Sequence, residues 1–410
     1  MSFRINKGPR KGNNLIMFSF YVIVYMVRAM ENIGIIAEYN PFHLGHLYQI
    51  KKVKEKFPNS RIIVLVSSYF SQRGELIMCD KWERTKVLLD NMVDLVVEFP
   101  FAYASQSADT FAKYAVKILG ILQINYLIFG VEQLDVESIH EMALLQINNK
   151  EYDTLVKELL DSGYNYPTAT GTAIKKMMSR KIERPNDILA LAYMKEIIRQ
   201  NLPIIPIGIK RTNNYHDTNV KDDIISGSAI RNLLKEEKDI DKYVVSEEGI
   251  YKYKEVNREK LFPLLKYQII NNSQDLEKYN MVNEGIENRI KKVIVKAKSW
   301  EELVFMIKTK RYTYNSINRM LVHILTNFTK EENNKIELDY IRILGFTING
   351  QRHLNEIKKD IDIPIITRYK EGISLLLDIE FRVNNIYSLL VNENEEFIRR
   401  EYTNRPIIKK

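Results

Sequence analysis

The chain has 410 residues, 45% hydrophobic and 28% charged, enough for two domains and a sizeable core. That balance excludes a disordered or low-complexity chain. The net charge of +9 favours a polyanionic partner without naming one, and the single cysteine, Cys79, excludes a disulfide framework and a cysteine-rich zinc site while fitting a reducing cytosol.

Residues 1 to about 30 stand apart. Arg4, Lys7, Arg10 and Lys11 precede an apolar run from Leu15 to Val27. That run is shorter than the roughly 20 residues a membrane-spanning helix needs. It resembles a signal peptide's charged and apolar regions, but no small-x-small cleavage site follows. An upstream start codon, with Met30 as the natural initiator, is the favoured reading. A weak membrane anchor is the alternative.

From there strands and helices alternate, which predicts a parallel sheet with right-handed crossovers. The expected strands are Ile33–Glu38, Arg61–Val66, Leu95–Glu98, Tyr126–Phe129 and Ile204–Ile209. The expected helices are His46–Lys56, Lys81–Asp90, Ala108–Leu122 and a long helical stretch from Ser138 to Arg199. The first strand breaks at Asn40-Pro41, a turn dipeptide, and runs into His43-Leu-Gly-His46 at the start of a helix. Open α/β sheets bind ligands at such junctions, and the amides of a helix N-terminus favour phosphate. Gly45 removes a side chain that would hold a ligand off the backbone. A bland alternative makes both histidines surface polar groups at a helix start.

Two further loops follow strand ends. Ser67 to Glu75 is polar, aromatic and glycine-bearing, and contains Arg73; Phe129-Gly-Val-Glu132 places Gly130 at a strand end. Either could be no more than a tight turn with a solvated charge, but both share the carboxyl edge with His43 and His46. Arg184-Pro-Asn-Asp187 opens a helix, and capping alone would explain it. Lys210 to His216 follows the fifth strand. Ile225-Ser-Gly-Ser-Ala-Ile-Arg231 then offers two hydroxyls, a glycine and an arginine at a helix start, a phosphate cradle or an ordinary cap.

A boundary is expected near Ser246 to Gly249, with helical patterns beyond it. The stretch from Arg289 to Arg319 carries nine basic residues against Glu301 and Glu302, with Trp300, Phe305, Tyr312 and Tyr314 interleaved. Basic groups suit phosphates and aromatics stack on unpaired bases, although a lysine-faced amphipathic helix has the same pattern. Ile363 to Thr367 is a candidate strand and Leu375–Leu390 a helix. The predicted domains are a 1–30 extension, a 31–245 nucleotide-binding α/β domain and a mainly helical 246–410 domain.

Together, Glu38-Tyr-Asn-Pro-Phe-His-Leu-Gly-His-Leu-Tyr48, Phe70-Ser-Gln-Arg-Gly-Glu75, Asp80-Lys-Trp82, Asp94 to Pro100, Phe129 to Glu132, Arg184-Pro-Asn186, Ile225 to Arg231, Thr309 to Thr313 and Leu344-Gly-Phe346 occur in order. In this combination the chain resembles the bacterial tRNA(Met) cytidine acetate ligase family, within the HxGH nucleotidyltransferase superfamily. The resemblance runs from Met30 to the C-terminus. It implies a Rossmann-like HxGH nucleotidyltransferase domain followed by a mainly α-helical domain. It also implies a cytoplasmic ATP-dependent enzyme that acetylates the wobble cytidine of elongator tRNA(Met) with acetate, through acetyl-adenylate, releasing pyrophosphate and AMP.

Carried over, the family's ATP site falls on Ile36, Ala37, Glu38, Tyr39, Asn40, Pro41, Phe42, His43, Leu44, Gly45, His46, Leu47, Tyr48 and Gln49, with Gly130, Asn186 and Arg211. His43 and His46 are the expected catalytic pair. Ser226, Ser228 and Arg231 are expected at the β and γ phosphates, and Arg73, Lys310, Arg311 and Tyr312 at the tRNA. Mg2+ is expected with the ATP; no metal ligand is assigned and no stable membrane association is expected. The sequence departs from the family at Ser67-Ser-Tyr-Phe, where a glycine and an asparagine usually precede the phenylalanine, at Asn91 and at Leu44. Two other readings are a small-molecule nucleotidyltransferase acting on a phosphorylated cofactor precursor and a non-catalytic RNA-binding protein.

Overall fold

A computed structural model describes residues 30–210, 224–245, 250 and 255–410. The N-terminal extension before Met30, Arg211 and the rest of the 211–223 stretch, and the Ser246–Gly249 boundary lie outside the described residues.

The first strands are apolar runs long enough to cross a core and short enough to end in a turn. They are β1 (Asn32–Ala37), β2 (Arg61–Ser67), β3 (Leu95–Phe99), β4 (Tyr126–Val131) and β5 (Ile205–Lys210), within two residues of expectation. They lie in the order β5-β4-β1-β2-β3, all parallel. The chain runs outward from β1 to β3, then returns to the other side of β1. The strand order therefore reverses between β1 and β4, where ligands bind in such sheets. Alternation along β2 feeds both faces. Ile62, Val64 and Val66 meet Ile50 and Val53 of α1 (Leu44–Lys56), while Ile63 and Leu65 belong to the larger core on the opposite face.

α2 (Lys81–Asp90) starts where Asp80 accepts a hydrogen bond from the Trp82 amide. The expected single stretch from Ser138 to Arg199 is instead four helices: α3 (Val136–Asn148), α4 (Lys150–Asp161), α5 (Tyr166–Met178) and α6 (Pro185–Arg199). Asn149 and Asn165 each cap the following helix, and Pro185 sits in the first turn of α6, so local chemistry interrupts a continuous helical pattern. A further helix, α7 (Ala108–Ile121), packs against α6.

Beyond residue 255 helices dominate, among them α8 (Phe262–Asn271), α9 (Ile286–Ile294), α10 (Trp300–Ile307) and α11 (Tyr314–Leu325). The chain then returns to the sheet. β6 (Ile341–Thr347) adds antiparallel to β3, and both β7 (Ile365–Ile366) and β8 (Ile407–Lys409) pair with β6. The sheet thus runs across the expected boundary near residue 246: strands from both sides of it share one hydrogen-bonded ladder. The sheet is mixed: β3 and β6 pair antiparallel, and the other strand pairs are parallel.

A sealed cluster of charges locks this return. Lys81 Nζ lies 2.5 Å from Glu98 and 3.0 Å from Glu401, and Arg342 lies 2.6 Å from Glu401 and 3.5 Å from Glu98. All four residues are buried. Glu401 comes from α12 (Asn394–Thr403), and its other oxygen accepts from the Trp82 indole. Burial raises the Glu401 carboxyl, but Arg342 and Lys81 outweigh it and hold it down to about 2. Nearby Glu380, on α13 (Leu375–Ser388), accepts from the Phe101 amide at 2.6 Å. Burial and then the Glu98 charge push its carboxyl up to about 7. Among the described residues, no helix is long and apolar enough to cross a membrane.

Candidate active site

At the switch point the carboxyl ends of β1 and β4 open into a cleft of about 270 Å3. Its floor is Ile36 and Ala37 from β1, with Phe129 and Gly130 from β4. Its mouth is the histidine loop.

His43 is the N-cap of α1. Its Nδ1 accepts from the Gly45 amide at 3.0 Å, while the His43 amide donates to His46 Nδ1 at 3.4 Å. This is a capping box with two imidazoles in place of the usual hydroxyl and carboxylate. The arrangement fixes the tautomers. A neutral ring that accepts at Nδ1 carries its proton on Nε2, so the donor each ring can offer is Nε2–H. The two rings lie 3.7 Å apart, centre to centre, and Tyr39 packs edge-on to His46 at 4.7 Å. Gly45 has a different reason from the one expected. A Cβ there would meet the His43 ring at 2.8 Å, so the glycine makes room for the imidazole that caps its own helix.

The second helix start faces the first. α14 (Gly227–Lys235) is capped by Ser226, whose Oγ accepts from the Ala229 amide and lies 3.0 Å from Ser228 Oγ. A Cβ on Gly227 would sit 3.0 Å from the Asn40 carbonyl, so this glycine lets the two loops meet. Arg231 ties them together: its Nη1 donates to Asn40 O at 2.7 Å and its Nη2 to Glu75 at 2.9 Å. Two helix N-termini, with their positive dipole ends, converge on one cleft. Ser226 is therefore both an ordinary cap and a cleft residue.

Glu38 sits in the wall, accepting from the Gln72 amide at 2.8 Å. Burial pushes its carboxyl above the usual carboxylate range, against the pull of Arg73. Asn186 donates to Glu132, and the buried Asp187 accepts from the amides of Glu132 and Gln133 at 2.8 and 3.1 Å. The start of α6 thus shapes the turn after β4 as well as capping itself.

Most of the expected nucleotide residues come together. Ile36 to Asn40, His43, Gly45, His46, Tyr48, Gln49, Gly130, Asn186, Ser226, Ser228 and Arg231 all line the cleft. Pro41, Phe42, Leu44 and Leu47 lie behind it; Phe42 is a core residue packed on Tyr39. Arg73 also lines the cleft, beside Glu38. Lys310 is exposed, while Arg311 and Tyr312 border a second cavity. Sequence reasoning missed Leu189 and Tyr193, which line the cleft one and two turns after Asn186 on the same face of α6. Their i+3 and i+7 spacing from Asn186 was the available signal. It also missed Lys210, a cation at the end of β5.

A family model described as HIGH Nucleotidyl Transferase matches residues 30–401. A tRNA(Met) cytidine acetate ligase from Geobacillus sp. (strain WCH70) is 38% identical over 357 residues, covering 83% of this chain and 89% of the relative. The enzyme of the same name from Bacillus subtilis (strain 168) is 33% identical over 404 residues, covering 92% and 97%. Among solved structures, apo Thermotoga maritima TmcAL superposes with a TM-score of 0.83 at 28% identity, over 92% of this chain and 99% of that one. The same protein bound with alpha-thio ATP gives 0.82.

Proposed function

This chain belongs to the HIGH nucleotidyl transferase family and, within it, to the tRNA(Met) cytidine acetate ligases; from that premise we propose that it uses ATP and acetate to form N4-acetylcytidine at the wobble position of elongator tRNA(Met). In the first step an acetate oxygen attacks the α-phosphorus of ATP, the bond to the β-phosphate breaks, and acetyl-adenylate and pyrophosphate form. In the second the cytidine amine attacks the acetyl carbonyl and AMP leaves.

The observation that carries this reading is the pair of imidazoles locked as Nε2–H donors at the mouth of the cleft. Phosphoryl chemistry asks the protein for positioning and charge stabilisation more than covalent work. His43 and His46 supply neutral, preset donors to phosphate oxygens as charge builds. The dipole ends of the two helix starts and Lys210 supply the rest of the positive field. Ser226 and Ser228 offer hydroxyls to the β and γ phosphates. Arg231 serves them indirectly, by holding the Asn40 and Glu75 loops in register. Gly130 and Asn186 border the nucleoside, and Arg211 is assigned to the same pocket on the resemblance alone.

Magnesium is proposed as a companion of the ATP phosphates. Glu38 and Glu75 are the carboxylates among the cleft's lining residues. Arg73, Lys310, Arg311 and Tyr312 remain the proposed tRNA contacts, and the cytoplasm the proposed compartment.

Incorporation of labelled acetate into a tRNA(Met) transcript, with ATP and magnesium, tests the whole reading. Label on the wobble cytidine is the expected result. Folded protein that shows neither label nor acetate-dependent ATP–pyrophosphate exchange would refute it.

A further inference from the structure

A second cavity, of about 440 Å3, lies across α6 from the ATP cleft. Leu189 and Tyr193 face the cleft; Leu191 and Lys195, on the same helix, face the cavity. The two spaces are thus one helix width apart, about 10–12 Å. The cavity walls are mainly apolar, with Ile174, Leu191 and the Tyr312 ring among them.

Its charges do not cancel. Lys195 is neutralised by Asp109 at 2.5 Å, and Arg311 by Glu284 at 2.5 Å. Arg319, on α11, is only 8% exposed, and among the described residues no carboxylate lies within salt-bridge distance of it. Its Nη1 donates to the Gln72 carbonyl at 3.1 Å, while its buried Nε has no hydrogen-bond partner. Burial alone pushes the guanidinium down to about 10, with no anion to offset it. A buried, unpaired cation is unfavourable unless something pairs with it. The native loop is built onto this residue as well. Gly74, at φ +71°, packs so tightly on α11 that a Cβ would lie 2.5 Å from the Arg319 amide.

Apolar walls with one uncompensated guanidinium match a planar base carried on a phosphate. We propose that the second cavity seats an unpaired nucleotide of the RNA substrate, next to the one that reacts, with its base on the apolar wall and its phosphate on Arg319. The inference rests on the RNA-modifying function proposed above. It adds a consequence: Arg319 holds Gln72, and the Gln72 amide holds Glu38 in the ATP cleft. The seat for RNA and the seat for ATP share one loop.

The test is binding of an RNA hairpin with an unpaired, cytidine-containing loop, measured by anisotropy beside acetate-dependent ATP–pyrophosphate exchange. Thr170→Trp fills the cavity from its partly exposed rim. It should weaken hairpin binding about ten-fold or more, the scale of one lost base contact, and leave exchange unchanged. Arg319→Met should give a similar loss and lower the slope of log affinity against log salt by about one. Unaltered hairpin binding in Thr170→Trp, or an unaltered salt slope in Arg319→Met, overturns the proposal. Should CMP compete for the wild-type cavity and lose that effect in Thr170→Trp while hairpin binding stays the same, the site takes free nucleotides and the RNA assignment fails. If wild-type protein exchanges ATP but neither binds nor acetylates the hairpin, the RNA-modifying reading itself fails and this inference falls with it.

Discussion

The switch-point cleft and the sealed charge cluster are both polar, and they treat polarity in opposite ways. In the cluster every formal charge is spent on another charge of the same molecule: Lys81 and Arg342 each reach Glu98 and Glu401. In the cleft the polar groups are held by backbone rather than by opposite charge. His43 and His46 use Nδ1 for the helix cap, and Ser226 Oγ accepts from an amide. The same side chains line the cleft wall. The difference separates a device for closing the fold from a device for chemistry, although both rest on buried hydrogen bonds.

The largest effect expected from breaking that contrast is Glu401→Ala. It strips Lys81, Arg342 and the Trp82 indole of a shared partner and leaves buried charge unpaired, at a cost of about 3–5 kcal/mol. Denaturant unfolding should show it as a lower midpoint, and the reaction rate per folded molecule should hold. Midpoints that match wild type would mean that water already reaches the cluster.

Next comes His46→Ala, with His43→Ala beside it. Exchange between ATP and pyrophosphate should fall by about 10²-fold or more, the scale of a lost transition-state donor. Stability should drop only by the value of a helix cap, about 1 kcal/mol. Rates near wild type would place the charge stabilisation elsewhere in the cleft.

The smallest effect is a pH dependence that sharpens the contrast from the sealed side. Glu380 titrates at about 7 in the fold, above its ordinary 4.5. A raised carboxyl binds its proton more tightly when folded, so the group's contribution is fully present below about 4.5 and is lost as pH rises through 7. Glu380→Gln keeps an acceptor for the Phe101 amide and removes the charge. Its stability relative to wild type should therefore improve between pH 5 and pH 8, by about 1 kcal/mol or more. A gap that stays constant with pH would show that Glu380 is ionised throughout.

Much of this was legible in the sequence because it is local. β2 is a run of apolar residues, α2 follows an Asp cap, and the histidine loop sits at a strand end; each signal lies within a dozen residues. Even the breaks in the 138–199 helical stretch were written in Asn149, Asn165 and Pro185, although periodicity hid them. What could not be read is what depends on chain return. Lys81 and Glu98 look like surface charges until β6 and α12 arrive from more than 200 residues later to bury them. Arg319 looks like one more basic residue in a basic run, and only the packing of α11 on the Gly74 loop makes it a buried cation. That Arg73 lies beside Glu38 in the cleft is likewise a product of the fold and not of any local pattern.

The imidazole capping box also has a consequence for proton traffic. A ring that passes protons needs one nitrogen to receive and the other to release. Here Nδ1 of both rings is engaged by the protein's own amides, so a ring that took up a second proton would have to give up its bond in the cap, and acid would loosen the start of α1 as it charged the cleft.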